Sequence, residues 1–149
     1  MATQRTFTMF KPGVLQRRIA GEILSRIERK GLKIIGMKLM QIPRDLAETH
    51  YGEHKEKPFF GDLVGYITSA PVVAMVLEGE EAIKRVRMLC GATKIDDALP
   101  GTIRGDYATQ TQLNIIHASD SPESAEREIG LFFTEQEIVP YEDGNAEWF

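Results

Sequence analysis

Apolar and polar residues along this 149-residue chain follow two spacings, one typical of helices and one typical of strands. Spacings of three and four residues predict helices over residues 19–27, 44–51, 60–69 and 80–89, and from Ser121 onward. Alternating or short apolar runs predict strands over residues 6–10, 32–40, 72–77 and 113–118. The order β-α-β-α-α-β-α-β-α predicts an α+β fold and is compatible with the split βαβ, ferredoxin-like plan.

The segment from Gly91 to about Thr111 follows neither spacing and is longer than most connections in compact domains. Loops of this length are usually functional or disordered, and Pro100-Gly101 favours a fixed bend within this one. The alternative is an ordinary surface excursion.

Composition limits the class of protein. With 42% hydrophobic residues, the chain can bury one sizeable core, so residues 1–149 are interpreted as a single domain. The net charge of −4 argues against a general nucleic-acid or anionic-membrane surface, although a local basic pocket stays possible. Cys90 is the only cysteine, so no intrachain disulfide can form. Residues 1–5 are polar, and no run approaches the roughly 18 apolar residues of a membrane helix, which favours a cytoplasmic location.

His117 ends an apolar run and stands just before a strong helix start, in the segment NIIHASDS. A neutral imidazole is a good nucleophile near pH 7, because its unperturbed pKa is about 6.5. A histidine at the end of a strand can be held rigidly and still face a cleft. The alternative is a buried histidine that bonds to the backbone, and spacing alone leaves both open.

The helix after His117 carries a second candidate group. Its start has two possible caps: Asp120 with Glu123 as a capping box, or Ser121 with proline at the first helical position. Glu128 falls at the edge of the apolar stripe, where a partly buried carboxylate needs a partner. It either orients His117 or Ser119 and fixes the imidazole tautomer, or it is an exposed rim glutamate.

The segment NIIHASDS, followed by PESAEREI, closely resembles the active-site signature of nucleoside diphosphate kinases. Residues 58–79 and 99–108 resemble the same family in the same order, so the resemblance extends from about Arg5 to Trp148. It implies a ferredoxin-like fold with a four-stranded antiparallel sheet. It also implies transfer of the γ-phosphate of a nucleoside triphosphate to a nucleoside diphosphate, by a ping-pong mechanism through a phosphohistidine at His117.

The resemblance further implies what the polar residues do. The implied catalytic residues are His117, Glu128, Ser119, Lys11 and Tyr51. The implied nucleotide-binding residues are Lys11, Arg87, Thr93 and Arg104 for the phosphates, Phe59 for stacking on the base, and Asn114 with Lys11 for the ribose. Mg²⁺ is expected to bridge the substrate phosphates, with no metal ligands among the site residues.

The resemblance also bears on partners. It implies a homo-oligomer. The aromatic residues Trp148-Phe149 near the C-terminus are expected to be exposed and to pack on a neighbouring subunit, which favours a hexamer, with a tetramer as the alternative. No membrane or nucleic acid is needed for the implied reaction. The chain departs from the family at Gly13-Val14, where Asp-Gly usually follows Lys-Pro, and this leaves the backbone beside Lys11 open.

Two rival interpretations use the same sequence. Residues 50–54, HYGEH, match the HxxEH pattern of some zinc peptidases, in which two histidines share one helix face. Gly52 weakens such a helix, and short motifs often match by chance. The second rival is a ferredoxin-like regulatory or nucleic-acid-binding module without catalytic activity, because fold does not fix function.

Overall fold

A computed structural model describes residues 3–149, so Met1 and Ala2 of the polar N-terminal segment lie outside the described residues. The strands are β1 (Thr3–Phe10), β2 (Lys33–Met40), β3 (Val72–Glu80) and β4 (Ile116–Ala118). They form one four-stranded sheet in the order β2-β3-β1-β4, and every neighbouring pair is antiparallel. The sheet confirms the ferredoxin-like α+β prediction.

Helices accompany the sheet in the predicted order. They are α1 (Ala20–Arg29), α2 (Arg44–His50), α3 (Phe60–Thr68), α4 (Ala82–Cys90), α5 (Ile103–Tyr107) and α6 (Pro122–Phe132). In the part of the chain that the structure describes, no helix combines the length and apolar character needed to cross a membrane.

Strand β3 is the central apolar element, and both of its faces are buried. Met75 and Leu77 pack with Ile23 and Ile27 of α1 on one side of the sheet. Ala74 and Val76 pack with the residues of α2, α3 and α6 on the other side. Because successive side chains of a strand point to opposite faces, a strand covered on both sides has an unbroken apolar sequence.

The last strand is shorter than predicted. Residues 113–118 were expected to form a strand, but β4 begins only at Ile116. Ile115 has a φ of 63°, a left-handed conformation that interrupts an extended chain. Its carbonyl accepts a hydrogen bond of 2.8 Å from the Lys11 amide. The bend therefore ties the entry of β4 to the residue that follows β1.

The long connection is ordered and partly helical. Thr102 caps α5 by accepting a hydrogen bond from the Gly105 amide, so the prediction of an irregular segment up to Thr111 was wrong over these residues. Five residues are too few to show a helical apolar spacing. Helix α4 begins at Ala82 rather than Glu80, because β3 extends through Glu80 and Glu81 adopts a φ of 48°.

Candidate active site

His117 lies in the middle of β4, opposite Met9 of β1. Its neighbours Ile116 and Ala118 are buried in the core on the α1 side of the sheet. The period of two therefore turns His117 to the other face, where its ring centroid lies 5.9 Å from that of Phe7. The Thr8 hydroxyl donates a 2.6 Å hydrogen bond to the His117 carbonyl, which fixes the backbone at this point.

Helix α6 brings Glu128 to His117. Ser121 caps the helix by accepting from the Ser124 amide, with Pro122 at its start, so the second of the two capping possibilities is the one observed. Glu128 Oε1 lies 2.9 Å from His117 Nε2 and accepts a 2.6 Å hydrogen bond from the Ser119 hydroxyl. Glu128 is 7% exposed, so it is not an exposed rim residue.

The charge state of Glu128 decides the tautomer of His117. Burial by itself would raise the pKa of this carboxyl, but the hydrogen bonds from His117 and Ser119 outweigh it and leave the pKa lowered. An ionised carboxylate can only accept hydrogen bonds. His117 Nε2 therefore carries the proton, and the lone pair of the neutral ring is on Nδ1.

His50 and Tyr51 form the wall opposite His117. The rings of His50 and His117 meet edge to face, with centroids 4.8 Å apart, and His50 also contacts Tyr51 and Phe132. Burial, with a smaller contribution from His117, lowers the pKa of His50 to about 3, so its ring is neutral. The Tyr51 hydroxyl is buried and has no hydrogen-bond partner among the described residues.

Lys11 and Asn114 meet beside β4. The Lys11 ammonium donates a 2.8 Å hydrogen bond to Asn114 Oδ1, and both residues are 7% exposed. Burial lowers the pKa of Lys11 from 10.5 to about 7, and the positive charge of Arg104 adds to this effect. A nearby anion would raise the pKa of Lys11 again, because an opposite charge favours the protonated, positively charged form of the side chain.

The unusual Gly13 has a simple structural role. The Val14 amide bonds to the Lys11 carbonyl at 3.3 Å, and Gly13 has a φ of 103°. Proline and then a glycine with positive φ at the two central positions fit a type II turn. Lys11 is thus held at the start of a tight turn, even though the chain has Gly13-Val14 where the family usually has Asp-Gly.

Arg104 is buried beneath the Lys11–Asn114 pair. It is 3% exposed, and it donates to the carbonyls of Asn114, Gly91 and Ile116 at 3.4, 2.8 and 2.6 Å. These bonds join the long connection to β4. In this arrangement Arg104 supports the backbone around the site with several of its donors, and burial lowers its pKa.

Arg87 is the exposed cation of the group. Its Nη1 donates a 3.0 Å hydrogen bond to the Ala118 carbonyl, directly after His117. A cavity of about 170 Å³ opens here, and it is lined by side chains that include His50, Tyr51, Arg87, His117, Asp120 and Glu128.

Phe59 and Thr93 lie outside that cavity, at the ends of neighbouring elements. Phe59 directly precedes α3 and is 44% exposed, and its ring lies 5.5 Å from the His54 ring. Thr93 is exposed and follows Gly91, whose carbonyl is bonded to Arg104.

The HxxEH pattern does not assemble as the peptidase pattern would require. His50 ends α2, whereas His54 lies in a separate 3₁₀ turn (Gly52–His54). Among the described residues, the group of histidine, cysteine and acidic residues close enough to hold a metal is His50, His117 and Glu128. The contact between His50 and His117 was not predicted from the sequence, because 67 positions separate the two residues. They meet in the folded chain, in which α2 packs on α6.

These features define an α+β protein with a histidine–carboxylate pair at a cavity that the cationic side chain of Arg87 helps to line. A family profile described as "Nucleoside diphosphate kinase" matches residues 4–138. Nucleoside diphosphate kinases of Treponema pallidum and Methanobrevibacter smithii are similar to this chain. Identity is 57% over 149 residues with the former, covering 100% of both chains, and 64% over 139 residues with the latter, covering 93% of both.

Solved structures agree with the sequence comparison. A halophilic nucleoside diphosphate kinase from Halobacterium salinarum, in complex with CDP, superposes with a TM-score of 0.95 at 50% identity, covering 99% of this chain and 98% of that one. A family protein from Babesia bovis has a TM-score of 0.94 at 46% identity, covering 97% and 98%.

The chain therefore belongs to the nucleoside diphosphate kinase family. It is an enzyme that transfers the terminal phosphate of a nucleoside triphosphate to a nucleoside diphosphate, and family members use a divalent cation in this reaction. The alternative of a non-catalytic regulatory module is not supported.

Proposed function

We propose that the transfer proceeds through His117, with Nδ1 as the nucleophile. The observation that carries this proposal is the bond between His117 Nε2 and Glu128, because it occupies one ring nitrogen and leaves the lone pair on the other. Nδ1 attacks the γ-phosphorus, the bond to the bridging oxygen breaks, and the diphosphate leaves with the electron pair. The ring becomes positively charged, and Glu128 stabilises that charge through the Nε2 proton.

The second half of the reaction is the reverse of the first with another nucleotide. A terminal oxygen of the acceptor diphosphate attacks the phosphorus on Nδ1, and the bond to nitrogen breaks to return the neutral ring. One site serves both halves because donor and acceptor are both nucleotides, each built of a base, a sugar and a chain of phosphates. Ser119 and Tyr51 have positioning roles, Ser119 by its bond to Glu128 and Tyr51 beside His117 in the cavity wall.

The cations of the site are assigned to the phosphates. Phosphoryl transfer requires positive charge over the equatorial oxygens more than it requires covalent chemistry. Arg87 lines the cavity with His117, Lys11 is bonded to Asn114 at the entry of β4, and Thr93 lies in the connection that Arg104 anchors. Arg104 acts on the phosphates either directly, through its remaining donors, or by holding Asn114 and Gly91 in place.

Phe59 and Asn114 are assigned to the nucleoside. An exposed aromatic ring offers a stacking surface to any base, and the CDP complex of the Halobacterium salinarum relative supports a nucleotide in this fold. Asn114 and Lys11 are bonded to each other, and both are assigned to the ribose hydroxyls.

Mg²⁺ is the proposed divalent cation. It prefers oxygen ligands, retains several waters and relies on substrate phosphates. The metal-type cluster among the described residues contains two imidazoles and is a poor match for Mg²⁺. The phosphates would hold the ion, and Asp120 in the cavity wall is available to its water shell. When bound, Mg²⁺ neutralises phosphate charge.

The remaining assignments concern the whole protein. We expect residues 1–149 to act as one domain in the cytoplasm and to form a homo-oligomer, with a hexamer favoured over a tetramer. Trp148 and Phe149 are 77% and 69% exposed in the single chain, which supports contacts with a neighbouring subunit.

Labelling with γ-labelled ATP tests the assignment of the nucleophile. The parent protein should acquire acid-labile, base-stable phosphate, and His117→Ala should not, while it binds nucleotide nearly as well. Turnover of His117→Ala should fall by several powers of ten, roughly as for other lost nucleophiles. His54→Ala is the matched control and should label like the parent. Acid-labile phosphate on His117→Ala would disprove the proposal.

A further inference from the structure

Three potential metal ligands meet at the bottom of the cavity. His50, His117 and Glu128 each offer one donor atom, and these atoms all lie within 4.8 Å of one another. Glu128 Oε1 is 2.9 Å from His117 Nε2, and Glu128 Oε2 is 4.0 Å from His50 Nδ1. The carboxylate therefore lies between two imidazoles, with one oxygen facing each.

His50 is the unexplained member of this group. Its side chain is 1% exposed, yet neither ring nitrogen has a hydrogen-bond partner among the described residues. A buried polar atom without a partner costs free energy, and in native proteins such atoms usually have a functional or structural reason. Of these three residues, the proposed transfer reaction uses His117 and Glu128, and it gives no role to the nitrogens of His50.

We propose that His50, His117 and Glu128 form an inhibitory binding site for Zn²⁺. Two histidines and one glutamate are a common ligand set for zinc with an open fourth position. The adjoining cavity of about 170 Å³ leaves that position to water. Mg²⁺ does not compete here, because it prefers oxygen ligands in an octahedral arrangement.

The three ligand atoms lie within 4.8 Å of one another, and the side chains must adjust before they hold the ion. Bonds of about 2.0–2.2 Å in a tetrahedron place neighbouring ligand atoms about 3.4 Å apart. Glu128 contacts His117 through Oε1 at 2.9 Å and faces His50 through Oε2 at 4.0 Å, so one of these oxygens must come to lie about 3.4 Å from both ring nitrogens. The ligand nitrogens of His50 and His117 must reach a similar separation from each other. Rotation of the Glu128 carboxylate between the two rings changes both distances together.

Zinc at this site would make His117 unreactive even though the ion does not bind to Nδ1. The ion takes the lone pair of His117 Nε2, so the ring proton moves from Nε2 to Nδ1, with no net release of protons. Nδ1 then has no lone pair with which to attack phosphorus. This consequence rests on the proposed role of His117, whereas binding of the ion does not.

Zinc binding is measured first, on the full chain without nucleotide, by calorimetric titration with ZnCl₂. The test variant is His50→Phe, which keeps an aromatic ring among Phe7, Tyr51 and Phe132 but removes the ligand nitrogens. Its affinity for zinc should fall at least about tenfold, as expected for loss of a metal-site group. His54→Phe, the matched control, should bind like the parent. Equal affinity in parent and His50→Phe would disprove the site.

X-ray absorption at the zinc edge gives a result that needs no variant. The zinc-loaded parent should show two imidazoles and at least one oxygen ligand, and a count of one or no imidazole would overturn the proposal. In the labelling reaction, zinc should block phosphorylation of the parent and of His54→Phe, but not that of His50→Phe relative to its own zinc-free rate. Zinc that binds as described but leaves labelling unchanged would overturn the inhibitory role and, separately, question Nδ1 as the nucleophile.

Discussion

Glu128 Oε1 lies 2.9 Å from His117 Nε2 and also accepts a hydrogen bond from Ser119. This single oxygen links β4, which carries His117, to the helix that follows it. Because the carboxylate is ionised and buried, it determines which nitrogen of His117 is protonated. The proposed reactivity of His117 Nδ1 therefore depends on the hydrogen bond between His117 and Glu128.

Glu128→Gln should lower kcat much more than it changes KM for the nucleotide. The amide keeps the size of the side chain, but it cannot balance the positive charge that forms on the ring in the transition state. We expect kcat to fall about 10²-fold, the order seen when one electrostatic group of a transition state is removed. Single-turnover rates of phosphorylation would measure this directly, and a rate equal to that of the parent would contradict the role.

Ser119→Ala should shift the pH profile of kcat. The hydrogen bond from Ser119 contributes to the lowered pKa of Glu128, so its loss raises that pKa. Since Glu128 acts in its ionised form, the fall in kcat on the acid side should begin at a higher pH in the variant. If Ser119 had a purely structural role, the variant would have a lower kcat by the same factor at all pH values. A fall in kcat that begins at the same pH in variant and parent would support that structural role and contradict the prediction. Ser124→Ala, at the start of the same helix, is the control.

Lys11 should make stability depend on pH. Its folded pKa of about 7 lies below the ordinary value of 10.5, so between these values the unfolded chain binds more protons than the folded one. The free energy of unfolding of the parent should therefore rise with pH across this window, relative to Lys11→Met, by at most about 1.4 kcal/mol per pH unit.

Urea unfolding at pH 7 and pH 9 measures this difference. Lys84→Met changes an exposed lysine of α4 and should follow the parent. A constant difference between parent and Lys11→Met at both pH values would mean that Lys11 keeps an ordinary pKa. Lys11→Met should also raise KM or lower kcat for phosphoryl transfer, since the cation beside the phosphates is lost.

The base should matter less than the sugar. Stacking on Phe59 contributes about 1–3 kcal/mol and accepts any base, whereas hydrogen-bond recognition of a base edge can discriminate about 10⁴-fold. Purine and pyrimidine nucleoside diphosphates, ribose or deoxyribose, should therefore react within about two powers of ten in kcat/KM. Removal of the 3′-hydroxyl should cost far more, because Lys11 and Asn114 are assigned to the ribose.

A panel of nucleoside diphosphates, phosphorylated from one common donor, tests this prediction. Phe59→Ala should raise KM for every base by a similar factor, and it should cost less stability than loss of a core phenylalanine because the residue is 44% exposed. A thousandfold preference for one base, or full activity of the 3′-deoxy analogue, would show that the pocket recognises nucleotides in another way.

The sequence by itself predicted the four strands and five of the helices in the order observed, and it singled out His117 as the candidate nucleophile. Strand and helix spacings are local, and a strand buried on both faces, such as β3, has an unmistakable apolar run. Family resemblance added the residues around the nucleotide. The boundaries of β4 and α4 differed from the predicted ones, because Ile115 and Glu81 adopt positive φ values that the spacing of apolar residues does not encode.

Only the tertiary structure determined which contacts each site residue makes. It placed Arg104 under three backbone carbonyls, a role that its sequence position does not reveal. It also brought His50 against His117 and Glu128 from a helix far away in the sequence. Burial and side-chain contact are properties of the packed chain, so lowered pKa values and unpartnered imidazole nitrogens have no local sequence signal.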